Sequence, residues 1–177
     1  MTLVTNRLSL RSWKESDLQF LQKMRNDVDL QARLLSTARG SSIVDVRQWV
    51  TRRSEGVGNI FYVIESLENG SPVGYIQCSR EPGSTDGFRF GICLDSEHQS
   101  KGYGSELMRW LDEYLKINYS ANKIILHVEK TNSHAIGCYR KNAYREVGVM
   151  RRHTKVCDDW CDVVIMEKLM SDEIVPD

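Results

Sequence analysis

Apolar and polar residues alternate from Arg7 to Arg11, with Leu8 and Leu10 on one side, and this period of two predicts a first strand. Ser16-Asp17 then caps a run in which Leu18, Phe20, Leu21 and Met24 recur at helical spacing. From Asp27 to Ser42 the chain is polar without a steady period. Helical spacing returns over Val44 to Arg53, with Val46, Trp49 and Val50 on one face. Ile60 to Ser66 reads as a strongly apolar strand, Glu68-Asn69-Gly70-Ser71 as a turn and Val73 to Cys78 as the returning strand. A second turn, Glu81 to Gly87, leads into a strand over Phe88 to Leu94. Leu107, Trp110, Leu111, Tyr114 and Leu115 mark an amphipathic helix from Gly102 to about Ile117. Lys123 to Val128 alternates again, Asn132 to Lys141 reads as helix, Tyr144 to Met150 as extended, and Trp160 to Leu169 as a last strand. The order β-α-α-β-β-β-α-β-α-β-β predicts an α/β fold, a mixed sheet with helices on both faces, as one domain over 1–177 with a frayed tail at 171–177.

Composition narrows the class. A chain of 177 residues with 41% apolar and 27% charged residues suits one globular domain with a real core. Lys+Arg and Asp+Glu both number 24, and zero net charge argues against broad binding to nucleic acid or to an anionic membrane. No apolar run is long enough to span a bilayer and the first residues lack a signal-peptide core, so a cytoplasmic location is expected. Cys78, Cys93, Cys138, Cys157 and Cys161 are then expected as free thiols. Cys157 and Cys161 are four apart, but no second Cys/His pair has metal-site spacing, so no metal is expected.

Candidate chemistry concentrates at Gln99-Ser100-Lys101-Gly102-Tyr103-Gly104, which joins the strand ending at Leu94 to the following helix. A strand that turns through two glycines into a helix aims free backbone N–H groups at one point, where the helix dipole favours a phosphate or pyrophosphate. Lys101 either reaches such a phosphate or is simply solvated. The loop lacks Gly-x-x-x-x-Gly-Lys-Ser/Thr, which disfavours a nucleotide-phosphate hydrolase.

Two longer stretches identify a family. Ile92-Cys-Leu-Asp-Ser-Glu-His-Gln-Ser-Lys-Gly-Tyr-Gly-Ser-Glu-Leu resembles motif A of the GNAT superfamily of acetyl-CoA-dependent N-acetyltransferases, which ends in Gln/Arg-x-x-Gly-x-Gly/Ala. Leu126-His-Val-Glu-Lys-Thr-Asn-Ser-His-Ala-Ile-Gly-Cys-Tyr-Arg-Lys-Asn-Ala-Tyr144 resembles motif B, a strand ending before Asn-x-x-Ala-x-x-x-Tyr. The resemblance spans Leu8 to Leu169 and is sharpest over 88–150. It implies a mostly antiparallel central sheet and acetyl-CoA as co-substrate. It further implies that the backbone of Ile92, Cys93 and Leu94 pairs with the pantetheine arm. The N–H groups of Gln99, Ser100, Lys101, Gly102, Tyr103, Gly104 and Ser105 would hold the pyrophosphate, and Asn132 would bond the pantetheine. Tyr139 would protonate the departing thiolate. Outside this context Tyr139 would read as a core aromatic.

Amine attack on a thioester needs a neutral amine, a polarised carbonyl and a proton for sulfur. A backbone N–H near Cys93 or Leu94 can bond the developing oxyanion. A tyrosine with pKa about 10 can donate to a thiolate while staying protonated at neutral pH. The base is less determined. Where many relatives carry glutamate two residues before Ile92, this chain has Phe90; where others carry it on the next strand, it has His127. His127, with an unperturbed pKa of about 6.5, is either a direct or water-relayed base or a polar strand residue without a chemical role. Glu129 and Glu65 are weaker candidates. Asn142-Ala143-Tyr144 stands where the family often has Gly-Phe, and Asn142 is expected to take the left-handed conformation that ends the helix.

The acceptor is the least legible part. Met24 to Leu30 resembles a stretch of acetyltransferases acting on nucleotide-linked amino sugars. Lys123 to Asn132 looks more like spermidine and ribosomal-protein N-terminal acetyltransferases. A polyamine site should gather carboxylates, and Asp27 to Asp45 is not notably acidic. A small-molecule amine, with amino sugars ahead, is therefore expected. A polyamine, a peptide N-terminus or a non-catalytic coenzyme A-binding module are the alternatives. Trp160, Val163, Val164 and Ile165 place the last strand either across a homodimer or inside the sheet.

Overall fold

The alternating segments become strands of one sheet: β1 (Leu8–Arg11), β2 (Ile60–Ser66), β3 (Pro72–Arg80), β4 (Gly87–Leu94), β5 (Lys123–Glu129), β6 (Arg145–Val156) and β7 (Asp159–Leu169). The computed structural model describes residues 3–156 and 159–171, so Cys157 and the tail beyond Ser171 lie outside the described residues. The sheet order is β1-β2-β3-β4-β5-β7-β6. Every neighbouring pair is antiparallel except β4 and β5, which are parallel.

Among the described residues five α-helices cover the sheet: α1 (Leu18–Asn26), α2 (Val28–Arg33), α3 (Ile43–Ser54), α4 (Tyr103–Tyr119) and α5 (Ser133–Lys141). Helix α2 was not expected from the pattern. It is six residues long, too short to show a period, and forms because the Asp27 carboxylate accepts the Leu30 N–H while Leu30 and Gln31 turn inward. A reciprocal Ser42/Asp45 capping box starts α3.

Alternation along the strands sorts two cores. Phe88 and Phe90 of β4 and Ile124, Leu126 and Val128 of β5 pack with Leu107, Leu111 and Leu115 of α4 and Ile136 of α5. The opposite face joins Phe61, Val63, Tyr75 and Cys93 to Leu18, Leu21, Val46, Trp49 and Val50 of α1 and α3. Under α4, Lys168 is buried and donates to Asp112 at 2.6 Å, and the Tyr144 hydroxyl donates to the same carboxylate at 3.1 Å. Burial pushes the Asp112 carboxyl up, against the downward pull of Lys168 and Tyr144.

One expectation is corrected. Asn142 has φ −104°, and the left-handed residue after α5 is Ala143, at φ 66°. Asn142 instead is buried, its amide donating to the Cys138 carbonyl at 2.8 Å and the Ser105 hydroxyl at 3.0 Å, which ties α5 to the start of α4. Strand β7 lies between β5 and β6, so it is an interior strand; the edge is β6, where Val147 and Val149 are exposed. Cys78, Cys93 and Cys138 are free thiols, and burial pushes Cys78 and Cys93 up to about 12.

Candidate active site

Strands β4 and β5 pair only at Gly87–Lys123, Phe88–Ile124 and Arg89–Ile125. Beyond that point both continue, β4 to Leu94 and β5 to Glu129, but no longer as partners. The parting leaves one edge of β4 free inside the sheet. Asp95 donates its N–H to the Val73 carbonyl of the β3 side at 2.9 Å. By antiparallel alternation Cys93 and Gly91 also turn their backbone groups to β3, so Phe90, Ile92 and Leu94 face the gap. The Leu94 carbonyl there already accepts the Gln99 amide at 2.9 Å. Ile92 and the Leu94 N–H therefore carry the free backbone groups, while Cys93 turns away from the gap.

The gap leads to the start of α4. Ser100 and Gly102 take φ 59° and 80°, and Gly102 is the residue preceding the helix. A Cβ on Gly104 would meet nothing nearer than Cys138 Sγ at 3.9 Å, so the first turn is open above its backbone. Its N–H groups can thus approach an anion closely. Side chains here are braced: Gln99 accepts from Arg33 at 3.1 Å, and Ser105 meets Cys138 Sγ at 3.4 Å. Arg7, which sequence reading missed, donates to the Lys101 carbonyl at 2.9 Å, stacks on Tyr103 at 4.6 Å and pairs with Glu106 at 2.7 Å. It lies about a hundred residues from the loop in sequence, so no local signal could have found it.

Tyr139 projects from α5 and packs edge-on against Phe90 with centroids 6.4 Å apart. Its hydroxyl has no hydrogen-bond partner among the described residues. Burial, with the neighbouring Cys138 adding, pushes it up to about 12, so it holds its proton firmly. The Asn132 carbonyl caps α5 through the Ala135 N–H at 3.1 Å, leaving its amide group uncommitted.

His127 projects from β5 on the opposite face, its ring 6.4 Å from that of His153. Burial and the Arg89 charge lower its pKa, so it is neutral at pH 7 and able to take a proton. Glu129 accepts from Thr131 at 2.8 Å. Glu65 is not brought to the gap: it sits on β2, bound at 2.7 Å by Arg11, which also binds Asp17.

On the His127 face, between α3 and the β3–β4 hairpin, lies a cavity of about 580 Å³. It reaches β4 at Phe90 and Gly91, where that strand leaves β5, and Trp49 of α3 forms part of its wall. Trp49 packs edge-on against both Phe61 and Tyr75, so it is core and cavity wall at once. The two faces thus converge on one stretch of strand: a gap with helix-terminal N–H groups and Tyr139 on one side, a cavity of small-molecule size on the other.

Residues 23–144 match the acetyltransferase (GNAT) family. An uncharacterized N-acetyltransferase p20 of Bacillus licheniformis is 27% identical over 173 residues, 95% of this chain and 96% of that protein. The crystal structure of spermidine N-acetyltransferase from Vibrio cholerae, in complex with CoA and spermine, superposes with a TM-score of 0.85 at 21% identity, covering 93% of this chain and 96% of that one. A GNAT-family acetyltransferase from Bacillus anthracis superposes with a TM-score of 0.82 at 18% identity, covering 97% and 100%.

Proposed function

We propose that this chain, which belongs to the acetyltransferase (GNAT) family, transfers an acetyl group from acetyl-CoA to the primary amine of a small molecule by direct attack while both are bound. The observation that supports this reading best is the parting of β4 from β5 beyond Arg89–Ile125, beside both the α4 N-terminus and Tyr139. The amino-sugar expectation finds no support among the relatives named above.

In this reading the open first turn of α4, from Gln99 to Ser105, holds the pyrophosphate. Ile92 and the Leu94 N–H bond the pantetheine as a further strand would, and the Asn132 amide adds a side-chain bond. Acetyl-CoA supplies the activated acyl carbon. The amine nitrogen, neutral after losing a proton to His127 directly or through water, adds to the thioester carbon and gives up its second proton to water as the C–S bond breaks and the electron pair leaves with sulfur. A backbone N–H on the gap side of β4 stabilises the oxygen that gains charge. Tyr139 gives its proton to the leaving sulfur and recovers one from solvent. Its raised pKa suits this role, because the hydroxyl stays protonated at every pH where the amine reacts. Holding both partners against one strand supplies the orientation that makes the step effectively unimolecular.

The test is release of free coenzyme A thiol from acetyl-CoA across a panel of amines. Tyr139→Phe should lower kcat about a hundredfold or more while leaving acetyl-CoA affinity nearly unchanged. His127→Gln should abolish the acid limb of the kcat/KM profile, which in the parent should lie on the acid side of an ordinary imidazole because burial and the Arg89 charge lower the folded pKa. Tight acetyl-CoA binding with no amine acetylated, and no effect of Tyr139→Phe, would end this reading.

A further inference from the structure

The cavity beside Gly91 is lined by Arg52, Arg53, Arg80 and Arg89, and no Asp or Glu is among its lining residues. In a chain whose charges balance at 24 to 24, such a concentration of one sign is local and built by the fold. Arg52 and Arg53 come from the last turn of α3, and Arg80 and Arg89 from the two arms of the β3–β4 hairpin. Among the described residues only Arg89 of these four has a carboxylate partner, a two-pronged pairing with Glu81 at 2.6 and 2.7 Å. Arg80 donates to the Thr85 carbonyl at 2.8 Å and lies over the Phe88 ring, so no carboxylate answers its charge. Neither Arg52 nor Arg53 has a hydrogen-bond or ion-pair partner among the described residues. Arg25 stacks on Trp49 of the cavity wall at 4.3 Å with its Nε buried and unpartnered, adding a further positive charge behind the ring.

A second polar group points the same way. The Oε1 of Gln77 is buried and has no partner, and Gln77 both lines the cavity and lies across from Gly91 in the β3–β4 register. The side-chain amide would stand 3.4 Å from a Cβ at Gly91, so the glycine keeps the floor open next to it. A buried acceptor without a donor is costly unless a ligand N–H meets it. None of the residues from Gln99 to Ser105 lines this cavity, so its arginines are not the pyrophosphate cradle at α4.

We infer that the acceptor is a small anionic amine: its phosphate or carboxylate sits on Arg52, Arg53 and Arg80, and its amine points past Gln77 to the β4 strand at Gly91. This rests on the acetyltransferase reading of the same site. Arginine forks match phosphate and carboxylate oxygens two at a time, and charged hydrogen bonds of that kind discriminate strongly against a ligand that lacks the anion. A polyamine, carrying only positive charge, would meet the like charges of Arg52, Arg53 and Arg80 with no carboxylate among the lining residues.

The experiment compares amines that differ only in charge, by thiol release at fixed acetyl-CoA: glucosamine 6-phosphate against glucosamine, serine against ethanolamine, and spermidine. The anionic member of at least one pair should be preferred by about 10- to 100-fold in kcat/KM. The phosphate and carboxylate pairs separate the two sources of the anion. Arg52→Gln/Arg53→Gln should erase that preference by raising the KM of the anionic member. Spermidine or the neutral amines acetylated as well as the anionic ones would overturn the inference while leaving the enzyme reading intact. If no amine is acetylated, calorimetry on the coenzyme A-saturated protein decides: an anionic amine that binds and is lost in the double variant upholds the anion site, and none binding overturns it.

Discussion

The two faces of the sheet treat charge in opposite ways. Beneath α4, Lys168 and Tyr144 both donate to Asp112, at 2.6 and 3.1 Å, so the two charges of that pair answer each other inside the protein. Across the sheet, between α3 and the β3–β4 hairpin, Arg52, Arg53 and Arg80 face a cavity with no carboxylate in its wall. A buried pair is a structural solution: two charges taken from water and given to each other. An unanswered cluster beside a cavity costs self-repulsion, which the nearby Arg25 registers, its guanidinium pulled below the ordinary range by burial and by Arg53, Arg39 and Arg52 despite the opposing effect of Tyr75. The contrast separates residues that hold the fold from residues kept for something that binds it.

The comparison is broken most forcefully from the paired side. Lys168→Met leaves Asp112 buried without its cation and should cost about 3–5 kcal/mol in urea unfolding, most of it recovered by adding Asp112→Leu. Tyr139→Phe sharpens it from between the faces. Its hydroxyl has no partner to lose among the described residues, so the substitution proposed to lower kcat should shift stability by less than about 0.5 kcal/mol in either direction. In the parent enzyme kcat should show no fall between pH 8 and about 10, since Tyr139 is pushed up to about 12 and stays protonated throughout. Ala143→Gly relieves the left-handed backbone after α5 and should stabilise by about 1 kcal/mol in thermal unfolding. The smallest effect should come from the unanswered side. Arg52→Gln/Arg53→Gln should leave unfolding free energy within about 0.5 kcal/mol of the parent, or slightly above it. A loss there as large as that of Lys168→Met would mean these arginines hold the fold after all.

How much of this could be read from the chain depends on whether the signal is local. The strand from Phe88 to Leu94, the glycine turn and the amphipathic helix after it are consecutive, and each element appears where its own period places it. Asn132 and Tyr139 follow from one short motif. The turn after α5 shows the limit: Asn142 has the right chemistry for a left-handed residue, but the Cys138 carbonyl and the Ser105 hydroxyl claim its amide, and the strained position passes to Ala143. Helix α2 is set by one capping carboxylate in a stretch with no period. The arginine cavity was illegible because its members lie on a helix and on both arms of a hairpin, and a net charge of zero averages them away. Arg7 at the glycine turn is hidden in the same manner.

The three residue pairs that join β4 to β5 make the sheet two blocks meeting at a seam, β1 to β4 on one side and β5, β7 and β6 on the other. A ligand lying in the open end of that seam, as proposed for acetyl-CoA, would act as a clasp across it. The amides of Ile92 and Leu94 should therefore exchange with solvent early in the unloaded protein and slow on loading, and the melting temperature should climb with the logarithm of donor concentration once that exceeds its dissociation constant. The durability of the protein becomes a gauge of how much donor surrounds it.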